Sequence, residues 1–290
     1  MPYIIMTDSH TDLPYTLVDE WQLPLVLMPY SLNGEEHLAD MGRNDDYKTI
    51  FAALRSGINA TTSQLPEAAY TEYLEPHLMA GNDVLFISFS SQLSKTIDNL
   101  RAAAQALLER YPERRIEIFD TLAISMTQGL LVMQAVKLRA EGADMDEVLA
   151  WLRDNHQRAH GAFMVDDLGH LKRGGRLSGS AALLGTILDI KPFLVISKEG
   201  RIVPCDKVKG HRRGLRRLVQ YVQDNIVDPE NSTVAIMHSE SLEDADLLES
   251  MLREALPVGE VMKLPVGSVI GVHAGPGLIA VCFMGKPRSI

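Results

Sequence analysis

Four short segments concentrate side chains able to hold a small acid group. They are Thr7-Asp8-Ser9-His10-Thr11-Asp12-Leu13-Pro14, Thr61-Thr62-Ser63-Gln64, Ser88-Phe89-Ser90-Ser91-Gln92-Leu93-Ser94-Lys95-Thr96 and Gly271-Val272-His273-Ala274-Gly275-Pro276-Gly277. A hydroxyl at a helix start ordinarily caps the first turn. A helix N-terminus also presents unpaired N–H groups, so several hydroxyl-bearing turns brought together make an anion site. Lys95 is the one Lys or Arg among them, which favours a single carboxylate over a polyphosphate. His273 is a further donor to such an anion, although a lone histidine more often has a structural role.

The common catalytic signatures are absent. No GxxxxGK[ST] phosphate loop, GxGxxG fingerprint, GxSxG elbow or HExxH pair occurs, so no nucleotide or other cofactor is called for. His156 and His160 stand four apart on a helical pattern without a third ligand nearby, and read as a solvated face because a metal site needs at least three protein ligands. Ser94 as nucleophile with His273 as base would make an acyl ester hydrolase. That alternative needs an acid to orient the histidine and a strained turn around the serine, and the sequence shows neither motif.

The elements that must position these turns alternate in the N-terminal half. Tyr3 to Thr7, Leu25 to Met28, Val84 to Ser88 and Ile116 to Phe119 read as buried strands. Asp45 to Leu54, Glu67 to Met79, Leu93 to Glu109 and Ile124 to Ala140 have helical spacing, with Gly57, Gly81 and Gly142 as stops. This alternation implies an α/β fold with a mostly parallel sheet covered on both faces, and in such sheets ligands bind at the carboxyl ends of the strands. A helix follows at Asp146 to Arg158. Beyond it the pattern becomes α+β with a mixed sheet: strands at Ala162 to Val165, Val234 to His238, Glu260 to Leu264 and Leu278 to Met284, and a hairpin pairing Phe193 to Ser197 with Ile202 to Val208. Helices are expected at Ala181 to Leu188, Arg213 to Gln223 and Asp244 to Leu256. Two domains, 1–158 and 159–290, fit this change.

The chain has 290 residues, 46% of them apolar, which is enough for real cores, and a net charge of −10, which disfavours nucleic acid as a partner. The basic stretch Lys207, Lys209, Arg212, Arg213, Arg216 and Arg217 reads as a solvated helix face rather than a nucleic-acid or regulatory surface. The longest apolar run, Leu278 to Met284, is seven residues, far short of the ~18 that a membrane span needs. The N-terminus lacks the basic region of a signal peptide, and Cys205 and Cys282 read as buried reduced thiols, so a cytoplasmic location is expected. Thirteen Met with 6% aromatics fit a tunnel lined by adaptable side chains.

These turns, in this order, together with Asp167-Leu168, Lys172-Arg173-Gly174-Gly175-Arg176 and Ile190-Lys191-Pro192, resemble the DegV family of bacterial fatty-acid-binding proteins from Thr7 to Gly277. The resemblance implies a two-domain α/β protein holding one long-chain fatty acid, its carboxylate between the domains. Thr62, Ser94 and Ser63 would bind the carboxylate, His273 would border it, and Gly275 and Gly277 would shape the opening. It also implies, for some members, a lipid-carrying subunit that presents the acid to a separate ATP-dependent fatty-acid kinase, with Arg173 and Arg201 as docking candidates. Lys95 in place of the usual Gly after Leu-Ser either contacts the head group or extends outward, and Leu65-Pro66, Thr127 and His170 also depart from the family pattern.

Overall fold

The computed structural model describes residues 2–44, 47–178 and 190–290. The expected buried strands pair in parallel: β1 (Tyr3–Asp8), β2 (Leu25–Val26), β6 (Asp83–Ser88) and β7 (Ile116–Asp120) form a sheet of order β2-β1-β6-β7. Each residue of β6 is buried, as a strand covered on both faces must be. A six-stranded mixed sheet starts at Ala159: β8 (Ala159–Met164), β9 (Ile190–Ile196), β10 (Ile202–Lys209), β11 (Thr233–His238), β12 (Glu260–Pro265) and β13 (Ile279–Met284), in the order β10-β9-β8-β13-β11-β12.

Helix α5 (Met126–Ala140) joins the two sheets. Its residues 126 to 132 are all buried, and one hydrophobic cluster runs from Leu85 and Ile87 through Met126 and Leu131 to Phe163, Leu194 and Cys282. Along β13 the side chains alternate: Ala280 and Cys282 face this shared core, whereas Val281 and Phe283 pack under α8 (His211–Asn225) and α9 (Leu242–Ala255). The tip of the β9–β10 hairpin docks on the N-terminal half, where Ser90 Oγ donates to the Gly200 carbonyl at 2.7 Å.

Several elements differ from expectation. The run Leu25 to Met28 is split: β2 ends at Val26, and β3 (Met28–Leu32) starts a small antiparallel sheet with β4 (Glu35–Ala39) and β5 (Ala60–Thr62). Asn33 and Gly34, both at positive φ (50° and 90°), make the tight turn between β3 and β4. Exposed side chains along β4 gave no apolar signal for that strand. Short helix α10 (Ser268–Ala274) runs into the expected Gly271–Gly277 turn, short helices α1 (Tyr15–Glu20) and α7 (Leu168–Arg173) stand where no element was expected, and α4 (Thr96–Arg110) begins three residues after Leu93. The segment read as a helix on Asp146 to Arg158 is α6 (Met145–Asn155), so His156 lies just past its end and His160 in β8. His160 is buried, with Nδ1 at 2.9 Å from the Tyr221 hydroxyl and Nε2 at 2.6 Å from the Lys286 carbonyl, so the two histidines share no helix face. Cys205 is exposed rather than buried, because β10 is an edge strand and a register shift between Pro204 and Asp206 leaves this residue unpaired. The helix expected at Ala181 to Leu188 lies outside the described residues, as does Asp45 at the expected start of α2 (Tyr47–Arg55). No helix among the described residues is long and apolar enough to cross a membrane.

Candidate functional site

A cavity of about 360 Å³ lies where the parallel sheet, the small antiparallel sheet, α5, α10 and the inner face of the mixed sheet meet. It falls within the ~300–1,000 Å³ range of small-molecule pockets. Its walls are mostly apolar, with Ile124, Phe163, Ile196, Ile202, Val266, Val269, Ile270 and Leu278 among them, while Met28 and Met237 are the two methionines that line it. Toward β8 and β13 it is lined by small residues: Gly161 pairs with Cys282, and Ala280 pairs with Phe163.

Polar side chains also reach this cavity. Thr62, Ser63, Ser94 and His273 all line it, brought together from β5 and the chain following it, the turn before α4, and α10. Thr62 Oγ1 lies 2.7 Å from His273 Nε2 across 211 positions of sequence. Ser94 Oγ accepts the Thr96 N–H at 3.2 Å, one residue before the N-cap position held by Lys95, and keeps its own O–H, which has no acceptor among the described residues. Ser63 and Gln64 are exposed and mark the solvent side.

Two further lining residues were not singled out as ligand groups from the sequence. Arg176, partly buried, donates from Nε to the Leu93 carbonyl at 3.0 Å and from its terminal nitrogen to the Gly174 carbonyl, and has no acidic partner among the described residues. Burial lowers its pKa below the ordinary arginine value. The signal was present in the Lys172–Arg176 run, but no spacing rule says which of its cations turns inward. His10 is the other, 6% exposed in the first turn. The remaining hydroxyls of that turn are occupied with the fold: Thr7 Oγ1 donates to the Ile87 carbonyl at 2.8 Å and Ser9 Oγ accepts the Met28 N–H at 2.9 Å.

The other named positions lie off the cavity. Gly275 and Gly277, at φ of 76° and 81°, do not line it; a Cβ on them would meet His170 at 2.5 Å and Asp166 at 2.2 Å, so they let the chain after α10 pack closely beside α7. Arg173 and Arg201 are exposed, and Arg201 donates to the Gln92 side chain at 2.7 Å. Lys95 is exposed and outside the cavity lining. His273 pairs with Thr62 rather than Ser94, and among the described residues no carboxylate orients it, so a Ser94–His273 hydrolase has no assembled nucleophile–base pair. No group of side chains that could hold a metal occurs among the described residues.

Gly174 explains one glycine of the Lys172–Arg176 run. A Cβ there would lie 2.3 Å from His273 Nδ1, although its backbone (φ −70°, ψ −12°) suits any residue. Gly174→Ala should therefore push the imidazole off Thr62. The expected result is a roughly tenfold loss of ligand affinity, about the worth of one hydrogen bond to a charged group, with little change in thermal midpoint. Equal affinity in titrations of the variant and the parent would contradict this.

Burial first, then the positive charges of Arg176 and His10, push His273 down from 6.5 to about 4, so its imidazole is neutral near pH 7. The unfolded chain takes up this proton below the ordinary histidine value of about 6.5, and the folded chain refuses it until about 4. The stability that His273 contributes is therefore complete above 6.5 and lost as pH falls toward 4. Asp12 has the opposite sign. Its carboxyl is raised from 3.8 to about 7 by burial, against hydrogen bonds from Ser125 Oγ (2.6 Å) and the Gly267 N–H (3.1 Å), so its contribution is present below 3.8 and fades as pH rises to 7. The slopes oppose one another where they overlap. Urea unfolding should show wild type losing stability relative to His273→Gln by about 1.4 kcal/mol per pH unit on acidification across that window.

The comparisons with known proteins agree with this architecture. The DegV family model, described as an uncharacterised protein family, matches residues 3–286. A DegV domain-containing protein of Clostridium perfringens is 36% identical over 287 residues, 99% of either chain. Among solved structures, a DegV family protein from Thermus thermophilus described for its fatty acid binding aligns with a TM-score of 0.89 at 28% identity, covering 98% of this chain and 100% of that one. A fatty acid binding DegV family protein from Streptococcus agalactiae aligns with a TM-score of 0.87, also at 28% identity, over 99% of both chains. DegV from Bacillus subtilis, called a fatty acid binding protein, aligns with a TM-score of 0.83 at 26% identity, covering 99% of this chain and 100% of that one. Family model, relatives and fold agree: this chain belongs to the DegV family.

Proposed function

We propose that this protein binds one long-chain fatty acid, with the carboxylate at the Thr62–Ser94–His273 end of the cavity and the hydrocarbon running toward Ala280 and Cys282. The observation that carries this reading is one largely apolar cavity of about 360 Å³ in which two hydroxyls, an imidazole and the Arg176 guanidinium face the same space. An ionised carboxylate leaves water only where donors replace its hydration, and these groups are such donors. Burying a sixteen-carbon tail gives on the order of 10 kcal/mol of gross driving force at ~0.8 kcal/mol per CH₂, offset by the cost of immobilising the ligand. The fatty acid binding of the Thermus, Streptococcus and Bacillus relatives supports the same class of ligand.

The finer reading is a carrier rather than an enzyme. Residues 1–158 and 159–290 act as two domains around the ligand, and the carboxylate is presented to a separate ATP-dependent kinase subunit that makes acyl phosphate. The missing phosphate loop and the exposed Arg173 and Arg201 support that division of labour. Solvent extraction and mass spectrometry of purified protein should recover an acyl chain in near-equimolar amount, and titration with palmitic acid should show saturable binding. Repeated absence of lipid together with no affinity for palmitic acid would end the proposal. For the carrier role, acyl phosphate should form only when loaded protein, kinase and ATP are combined, and less of it with Arg173→Ala or Arg201→Ala.

A further inference from the structure

His10 has no part in the clasp described so far, yet its surroundings are those of a ligand contact. Asp8 Oδ1 accepts from the His10 backbone N–H at 3.0 Å and lies 2.8 Å from Nδ1, fixing the ring from one side. Phe89 stacks on the imidazole with centroids 3.8 Å apart, fixing its plane. The residue is 6% exposed and lines the cavity, while Nε2 has no hydrogen-bond partner among the described residues. Nε2 is not among the fully buried atoms without a partner, and an oriented, accessible ring nitrogen of a residue that lines a cavity is ready to meet a ligand atom.

Resting on the fatty-acid reading above, the geometry points to His10 as a specificity-determining residue that meets the second oxygen of the acid head group, so that the site selects free acids over neutral acyl compounds. The location of the head group follows from charge. The Arg176 guanidinium lines the same cavity as the imidazoles of His10 and His273, and an anionic head group is the complement of that charge. Thr62 and Ser94 can serve one carboxylate oxygen from the β5 and α4 side. His10, at the carboxyl end of β1, is placed to serve the other. Asp8 orients the ring by accepting the Nδ1 proton, which leaves Nε2 as the lone-pair nitrogen, so the proton shared between Nε2 and the second oxygen is the one that the free acid brings and an ester lacks.

His10→Asn separates this role from packing, because its amide nitrogen can replace Nδ1 at Asp8 while nothing replaces Nε2. The probes are palmitic acid and methyl palmitate, which share a tail and differ in the head, titrated into full-length wild type and variant. The expected result is that His10→Asn weakens palmitic acid about tenfold and leaves methyl palmitate within about twofold. His10→Gln, whose amide reaches toward the Nε2 position, should recover most of the acid affinity. Equal losses for acid and ester would make His10 a packing residue, and no loss for either would place the head group elsewhere; both overturn the assignment. Wild type that binds neither probe would instead overturn the fatty-acid reading itself.

Discussion

Thr62→Ala with Ser94→Ala should weaken fatty-acid binding by about 2 to 4 kcal/mol, roughly 30- to 1,000-fold, while the fold persists. In the proposed site each hydroxyl removed would donate to a buried anion, and the two come from separate elements, β5 and the turn before α4, so neither can swing to replace the other. Thr62 also holds His273 at 2.7 Å, so its loss frees the imidazole. The Thr62→Ala single variant should therefore be the worse of the two. Ser94→Ala additionally removes the acceptor of the Thr96 N–H, a cost of about 1 kcal/mol at the start of α4. Calorimetric titration with palmitic acid reads the affinity, and circular dichroism on melting reads the fold. An unchanged dissociation constant in the double variant would mean that the carboxylate binds elsewhere.

The parts of this architecture that show in the sequence are those that depend on local pattern. Continuous apolar runs such as Val84 to Ser88 mark strands buried on both faces, and regular spacing from Glu67 to Met79 marks a helix. The small antiparallel sheet is harder to read, because β4 carries mostly exposed side chains and its one strong clue is the Asn33-Gly34 turn. Helix α10 is only seven residues long and contains Gly271, so its periodicity is too short to separate it from a loop. The site is legible in part for a different reason. Hydroxyls beside strand ends and a histidine among glycines suggest an anion, and the family resemblance says which hydroxyls belong together. Only tertiary structure brings Arg176 and His10 to the same cavity, since their inward orientation depends on Leu93 and Gly174 in one case and on Asp8 and Phe89 in the other. Sequence likewise cannot show that Gly174 leaves room for His273, because the two meet through packing of α7 against α10.

Ala280→Phe should remove most long-chain binding without harming the fold, because the tail depends on the small residues that line β8 and β13. Gly161, Ala162, Ala280 and Cys282 all border the cavity, and Gly161 sits directly across from Cys282. Ala280 projects toward the shared core on the inner face of β13, so a phenyl ring there enters the space where the hydrocarbon would lie. If that ring displaces four methylenes at ~0.8 kcal/mol each, the loss is about 3 kcal/mol, or roughly 200-fold in affinity. A shorter acid needs less of that space and loses less, so the variant should narrow the preference: of the roughly 5 kcal/mol that six more methylenes give palmitic over decanoic acid at ~0.8 kcal/mol each, about 3 kcal/mol is lost. The polar end is untouched, and a head-group effect would weaken both acids equally. Filling the space with an apolar ring should leave the thermal midpoint of unliganded protein equal to or above wild type, since the ring gains contacts the empty cavity lacks. Competition titrations with the two acids decide the matter. Equal weakening of both, or undiminished palmitic acid binding, would show that the chain does not run toward β13.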